Sequence, residues 1–325
     1  MAAIVKLARY TQVDLKARAS STQRAQLLTI PYSHYCELAR WSLEVAGIEY
    51  DEHGYSPGAH VLQTLALRVG DARGKAYWHL SKSSSVQKAA KAPAAKAPAD
   101  DEAAFVRKRR PNSTAVPALC LPDGATVLPD SWAITEHCFR GGANAWPAGG
   151  LKECLDEELG VLARQLAYVA AFRPANLAVW DGLCLNSAGC LFGALYRLGG
   201  GGALRKSMIS MFRADDEAAT ADALERLRAV VARIEATWLS PQAYAGGRVG
   251  STGWTVGGGS APAMADYAMA ALAAVLVLPQ HYCAGRYAPY FDQLIAQDAV
   301  FRAQVEEFRA TALGRHCAKM YEEYR

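Results

Sequence analysis

The chain has 325 residues, of which 51% are hydrophobic and 20% charged, a globular composition with room for two domains. Its formal net charge of +4 is too small to indicate nucleic-acid binding without a patterned basic surface. The longest apolar run, residues 268–278, is about half of the roughly 20 residues that a membrane-spanning helix needs, so no membrane span is predicted.

The cysteine content and the N-terminal segment both indicate where in the cell the protein is expected to lie. The eight cysteines form no C-x-x-C pair and match no zinc spacing, which favours a reduced cytoplasmic chain and predicts no metal site. Residues 1–25 are a basic extension with five Lys or Arg residues against one acid. This composition also fits a chloroplast or mitochondrial transit peptide, which is the alternative for the location of the protein.

The stretch from Leu27 to Tyr50 predicts a strand, a turn, a helix and the start of a second strand. Its apolar run at 27–30 is typical of a buried strand, and residues 36–46 have apolar residues at helical spacing. The helix N-terminus carries the hydroxyl of Ser33 and the thiol of Cys36, three residues apart. Because a helix N-terminus favours negative charge, this point can stabilise a thiolate.

Between Tyr50 and residue 150 the sequence predicts a helix, a low-complexity insertion, a β-hairpin, a second helix and a linker. A helix is predicted over 60–69, followed at 75–113 by a low-complexity insertion rich in Ala, Lys, Pro and Arg. Two short strands, 114–121 and 125–128, predict a β-hairpin with Pro117 near its start. Asp130 and Ser131 cap a predicted helix over 132–139, and residues 141–150 read as a linker.

From residue 151 to 325 the pattern is helical throughout. Amphipathic helices are predicted at Leu151–Phe172 and 216–239, and a buried helix is predicted from Pro262 to about Pro279. Further helices are predicted between 290 and 313. The sequence therefore predicts an α/β part, residues 26–140, followed by an all-helical part, residues 151–325.

Four motifs in this order resemble the glutathione S-transferase family. They are the stretch Ser33–Trp41, the Val-Pro strand at 114–119, the Asp130-Ser131 pair and the apolar helix after Pro262. The serine in the first motif is similar to that of a bacterial-type branch. The resemblance implies a thioredoxin-like domain, interrupted by the insertion at 75–113, joined to a helical-bundle domain. It also implies a cis bond before Pro117.

The resemblance further implies glutathione as co-substrate, bound at the junction of the two parts. The backbone of this tripeptide would pair with the edge at Val116, just before Pro117. Ser131 would receive the γ-glutamyl carboxylate at a helix N-terminus, while Asp130 would meet the ammonium group. Ser33 would donate a hydrogen bond to the sulfur and favour the thiolate.

Three residues compete for contact with that sulfur. Ser33 is favoured, because serine at the attacking position of a C-x-x-C-like motif suits conjugation rather than disulfide exchange. Cys36 occupies the resolving position and is expected to be a small buried core residue. Tyr32 is a second hydroxyl candidate, because some branches of the family use tyrosine. His34 is expected to be an exposed loop residue, with a role as base as its alternative.

The expected function is addition of the glutathione thiolate to a small hydrophobic electrophile, as in detoxification. One alternative is a catalytically weak or inactive binding or assembly module that uses the fold as a scaffold and takes a protein partner through residues 75–113. Glutathione-dependent thiol-disulfide or peroxide reduction through Cys36 is the third hypothesis. A homodimer is expected from the resemblance.

Overall fold

The computed structural model describes residues 14–68, 115–139, 146–147, 149–187, 189–239 and 261–325. The predicted insertion at 75–113 and most of the predicted linker lie outside the described residues. The N-terminal part contains four helices and four strands within these ranges. In chain order they are α1 (Leu15–Thr22), β1 (Ala25–Thr29), α2 (His34–Val45), β2 (Tyr50–Gly54), α3 (His60–Arg68), β3 (Ala118–Cys120), β4 (Val127–Leu128) and α4 (Ser131–Cys138).

The four strands form one mixed sheet in the order β2-β1-β3-β4. β1 runs parallel to β2 and antiparallel to β3, with Leu28 opposite Ala118. β3 and β4 form an antiparallel pair in which Leu119 lies opposite Leu128, so the predicted hairpin is confirmed. The first two strands are parallel because α2 carries the chain back between them.

Each face of the sheet is covered by helices, because neighbouring side chains of β1 point to opposite faces. Leu27 packs in one apolar cluster with Leu43 of α2 and Ile134 of α4. Leu28 packs in the other with Leu15 of α1 and Leu67 of α3. α1 was not predicted, and it lies inside the predicted basic extension. Asp14 caps this helix by accepting from two backbone N–H groups.

The second part of the chain is helical, as predicted, and no strand occurs in its described residues. No helix in the described ranges is both long and apolar enough to cross a membrane. Its helices are α5 (Leu151–Glu153), a π-helical stretch (Cys154–Leu159), α6 (Gly160–Ala171), a 3₁₀ turn (Pro174–Asn176), α7 (Leu177–Asn186), α8 (Cys190–Leu195), a second π-helical stretch (Tyr196–Gly200), α9 (Gly201–Phe212), α10 (Glu217–Thr237), α11 (Met264–Val277), a 3₁₀ turn (Tyr282–Gly285), α12 (Ala288–Gln297), α13 (Ala299–Ala310) and α14 (Ala312–Tyr324).

The buried helix predicted after Pro262 is α11, and it packs against both α2 and α14. Its N-cap residue is Ala263, whose side chain cannot accept a hydrogen bond. The carboxylate of Asp266 still accepts from the Ala263 N–H at 2.8 Å, so half of a reciprocal cap remains. Through its packing on α2, α11 joins the helical part to the helix whose N-cap residue is Ser33.

Candidate functional site

The candidate site lies where β1 ends and α2 begins. Ser33 is the N-cap residue of α2, with extended backbone angles, but its side chain makes no capping hydrogen bond. The hydroxyl instead faces the thiol of Cys36, one turn into the helix. The structure thus brings the hydroxyl of Ser33 and the thiol of Cys36 together, while the hydroxyl makes no capping hydrogen bond to the backbone of α2.

Cys36 is fully buried, in agreement with the expected core residue. Burial raises the pKa of the thiol to about 11, and the nearby positive charge of Arg40 offsets this effect only in part. At neutral pH the thiol is therefore protonated. Since the thiolate is the nucleophilic form, Cys36 is poorly placed for redox chemistry.

Tyr32 reaches into the helical part of the chain. Its hydroxyl lies 3.8 Å from the sulfur of Cys184 on α7, and its ring makes edge contacts with Trp180 and Tyr287. Burial raises the pKa of the phenol well above its ordinary value. The described contacts of the hydroxyl are therefore with the helical part, and none joins it to Ser33.

Val116 and Pro117 lie beside the loop that carries Ser33. The peptide bond between them is cis, as the family resemblance implied. Since Leu28 is opposite Ala118, the antiparallel register places Val116 next to the end of β1. Val116 precedes the strand and makes no backbone hydrogen bond to another described residue. An extended peptide can therefore pair with it.

Asp130 and Ser131 lie at the start of α4. Asp130 is the N-cap residue, and its carboxylate accepts from the backbone N–H of Ala133 at 2.8 Å. Ser131 is the first helical residue and is buried, so the predicted two-residue cap is wrong and Asp130 caps the helix alone. α4 packs beside α2, with the hydroxyls of Ser42 and Thr135 2.9 Å apart. No described contact links Asp130 or Ser131 to Ser33.

A face of α6 and the π-helical stretch before it covers the start of α2. The Tyr35 hydroxyl donates to the carbonyl of Asp156 at 3.2 Å, and Nε2 of His34 lies 3.0 Å from the carbonyl of Gly160. Arg164, four residues further, lies over the Tyr35 ring. Asp156, Gly160 and Arg164 are four residues apart, which places them on one helix face. This spacing is the signal in the sequence that could have indicated a shared role for them.

The expectation that His34 is an exposed loop residue is wrong. His34 is the first residue of α2 and is 3% exposed, because the helical part of the chain covers it. Burial lowers the pKa of its imidazole to about 3, with a further contribution from the charge of Arg164. The ring is therefore neutral near pH 7. Since a carbonyl only accepts, Nε2 carries the proton in the hydrogen bond to Gly160.

A buried ionic cluster fixes the loop before Ser33. Arg40 donates to the carbonyl of Pro31 at 2.7 Å and pairs with Glu37 and Glu52. Arg325 also pairs with Glu37. Burial by itself raises the pKa of Glu37, but the two guanidinium groups outweigh it, and the pKa falls below its ordinary value. The loop is thus held through the carbonyl oxygen of Pro31.

The described residues contain no group of three or more His, Cys, Asp or Glu side chains that could hold a metal ion. Seven cysteines whose side chains are described form no disulfide with one another.

No protein-family model and no curated protein matches the chain. Solved structures that it is similar to include a glutathione S-transferase from Xanthobacter autotrophicus Py2, at 18% identity over 88% of this chain and 93% of that chain, with a TM-score of 0.34. Another is a glutathione S-transferase from Ceriporiopsis subvermispora in complex with glutathione, at 13% identity over 93% and 98%, with a TM-score of 0.45. A third is a β-etherase from Sphingobium sp. strain SYK-6, at 14% identity over 90% and 98%, with a TM-score of 0.39.

These three likenesses have TM-scores below 0.5, so the fold class is defined by the order of this chain's own elements. The mixed sheet β2-β1-β3-β4, the cis bond before Pro117 and the helical part that follows match the predicted fold class, which is confirmed. The resemblance to glutathione S-transferases is thus confirmed as a likeness of fold. The serine-motif branch stays a prediction.

Proposed function

We propose that the protein is a glutathione transferase in which Ser33 contacts the glutathione sulfur. The observation that carries this proposal is the position of Ser33 at the N-cap of α2, with a hydroxyl that does not cap the helix. A hydroxyl at this point can donate to a bound thiolate, and the helix N-terminus stabilises the negative charge. Cys36, with its protonated and buried thiol, is the weaker candidate.

The rest of glutathione would lie along the neighbouring strand. Its backbone would pair with Val116, whose own backbone groups have no described partner. Its γ-glutamyl end would reach the start of α4, where Ser131 offers a helix N-terminus to the carboxylate and Asp130 its carboxylate to the ammonium. One oxygen of Asp130 already caps α4, so the ammonium would meet the other oxygen.

The proposed reaction is nucleophilic attack by the glutathione sulfur on a small electrophile. The thiol first loses its proton to solvent, and Ser33 stabilises the thiolate that results. A carbon–sulfur bond then forms. In an addition the electron pair of the attacked double bond takes up a proton, and in a substitution a leaving group departs with its electron pair.

Retention on glutathione-agarose and a conjugation assay with 1-chloro-2,4-dinitrobenzene test this proposal. We expect retention of the wild type, and a loss of conjugation rate of at least tenfold in Ser33→Ala. Ser210→Ala, at an exposed position on α9, is the matched control and should keep the wild-type rate. Tyr32→Phe should keep most of it.

Other outcomes identify the alternatives. A chain that is neither retained nor active would overturn the transferase proposal and leave the scaffold role, with residues 75–113 as the region to test for a protein partner. A rate lost in Cys36→Ser but not in Ser33→Ala would favour thiol-disulfide or peroxide reduction. Sedimentation of the full chain tests the proposed homodimer, and fractionation of cells tests the cytoplasmic location against an organelle.

A further inference from the structure

Arg164 of α6 lies between two aromatic rings close to the start of α2. Its guanidinium carbon is 5.5 Å from the ring centre of Tyr35 and 5.8 Å from that of Phe212. Its Nε atom is buried and has no hydrogen-bond partner among the described residues. A buried N–H group without an acceptor is costly, so this donor is suited to a ligand that brings one.

The charge of Arg164 is also uncompensated by the described part of the chain. Arg40, Arg173 and Arg205, which are partly or largely buried, each lie within 4.0 Å of a carboxylate. No carboxylate of a described residue pairs with Arg164 in this way. Because a partly buried cation without a counter-ion raises the affinity of its surroundings for anions, the position favours a negatively charged ligand.

Arg164 lies close to the first turn of α2, where the candidate site is. Gly160, one turn earlier on the same face, accepts the hydrogen bond of His34, the first residue of α2. Arg164 is close enough to His34 for its charge to lower the pKa of that imidazole. The neutral imidazole adds no second positive charge. Arg164 therefore lies near the first turn of α2, whose N-terminus also favours negative charge.

Further aromatic rings lie next to the Phe212 ring that contacts the guanidinium. Tyr168, one turn after Arg164, stacks on Phe212 with ring centres 4.2 Å apart and makes an edge contact with Trp180. Trp180 in turn contacts the ring of Tyr32, in the loop before Ser33. A planar, unsaturated group fits beside such rings, and an acidic group on it fits beside Arg164.

We propose that the electrophile is a planar carboxylic acid, and that Arg164 binds its carboxylate as a specificity-determining residue. This inference deepens the proposed function and depends on it for the reaction, although the anion site can be tested without turnover. Nε and the terminal N–H groups of Arg164 would donate to the carboxylate oxygens. The unsaturated part would lie against the rings of Tyr168 and Phe212, with its reactive carbon towards the glutathione sulfur.

Calorimetric titration of the full chain with 4-nitrobenzoate and with neutral 4-nitrobenzamide, both with saturating glutathione, tests the anion site directly. We expect the wild type to bind the benzoate at least tenfold more tightly than the amide. Arg164→Gln should abolish this preference while changing amide affinity less than threefold. Arg164→Lys keeps the charge and should retain part of the preference. Arg197→Gln, at an exposed position, is the control and should retain all of it.

A wild type without preference for the benzoate, or an Arg164→Gln protein that keeps it, overturns the inference. Circular dichroism shows whether each variant is folded. If Arg164→Gln is not folded, the preference of Arg164→Lys for the benzoate over the amide is compared with that of the wild type instead. Because these titrations measure binding alone, their outcome does not depend on whether the protein is a transferase.

Turnover of ethacrynate and of its methyl ester separates the two proposals. The glutathione sulfur bonds to the terminal methylene carbon of the unsaturated ketone, the π electrons move towards the ketone oxygen, and solvent returns a proton to the α carbon. We expect kcat/KM for the acid to exceed that for the ester, with the ratio falling at least tenfold in Arg164→Gln. Carboxylate binding without conjugation of either compound or of 1-chloro-2,4-dinitrobenzene would refute the transferase and keep the anion site. Equal turnover of both compounds by wild type and variant would refute only the role of Arg164.

Discussion

The ring of Tyr35 lies directly against the backbone of Gly160. A Cβ atom added at Gly160 would lie 2.8 Å from Cζ of Tyr35 and 3.1 Å from the carbonyl oxygen of Leu155. The absence of a side chain at position 160 therefore lets α2 approach α6 and the π-helical stretch before it closely enough for His34 and Tyr35 to reach backbone carbonyls there. This close approach holds the start of α2 against the helical part of the chain.

Gly160→Ala should destabilise the protein by about 1–3 kcal/mol, because the new methyl group overpacks this contact. Urea unfolding followed by circular dichroism measures the change. The matched control is Gly202→Ala in α9, where a Cβ would meet no atom within 4 Å. That change should stabilise the protein by about 0.5–1 kcal/mol, since alanine favours helix over glycine. An equal stability change in the two variants would contradict the proposed close contact.

Glu37→Gln should lower the free energy of unfolding by about 3–5 kcal/mol, because it leaves Arg40 and Arg325 buried without their shared partner. The lowered pKa of Glu37 gives its contribution a defined pH window. The stabilisation by Glu37 is fully present above the pKa of this carboxyl in the unfolded chain, about 4.5. It is lost as the pH falls through the lower pKa of the carboxyl in the folded protein. Denaturation at pH 3–7 should show this acid-side loss in wild type and not in the variant. Glu49→Gln, at an exposed pair, should change stability by less than 1 kcal/mol.

His34 should make stability depend on pH between about 6.5 and 3. The folded protein keeps the imidazole neutral because burial lowers its pKa to about 3, whereas the unfolded chain takes up a proton near pH 6.5. The unfolded state thus binds more protons in this window, and stability falls as the pH falls, by up to about 1.4 kcal/mol per pH unit.

Denaturation of His34→Gln at pH 4.5–6.5 tests this dependence above the range where Glu37 titrates. The glutamine can donate to the carbonyl of Gly160 without titrating, so we expect a flatter stability curve. His281→Gln, at an exposed position, should keep the wild-type slope. A wild-type slope in His34→Gln would show that the histidine titrates normally in the folded protein.

Cys36 should resist alkylation in the folded protein, because its thiol is buried and its pKa is raised to about 11. Treatment with iodoacetamide at pH 7.5, followed by peptide mass spectrometry, measures labelling at each cysteine. We expect Cys36 to be labelled only after unfolding in urea. Rapid labelling of Cys36 in the native chain would contradict this and restore the redox hypothesis.

Much of the fold could be predicted from the sequence because its signals are local. The apolar run of β1, the helical spacing in α2 and the proline of the Val116–Pro117 bond each depend on neighbouring residues, and the structure has all three. The missed helix α1 has a weak local signal, since only Leu15 and Ala19 are buried in it. Its stability comes from packing on the sheet, which no short window of sequence reveals.

The candidate site was predictable only in part. Ser33 and Cys36 are three residues apart, so helix geometry alone places them together. The environment of His34 depends on Gly160, 126 residues later, and that of Glu37 depends on Arg325. Such pairings follow from how the two parts of the chain pack, and one sequence does not specify that packing residue by residue.

The helix α1 covers an apolar face of the sheet. Leu15 and Ala19 cover the sheet at Leu28, Ala118 and Cys120, and Gly124 in the β3–β4 turn lies close enough that a Cβ there would be 2.7 Å from the carbonyl oxygen of Lys16. A chain without residues 14–24 would lose this cover and expose the part of the apolar sheet face that Leu67 of α3 does not cover. We therefore expect a chain that lacks residues 14–24 to self-associate more readily than the full chain, which size-exclusion chromatography of the two would measure.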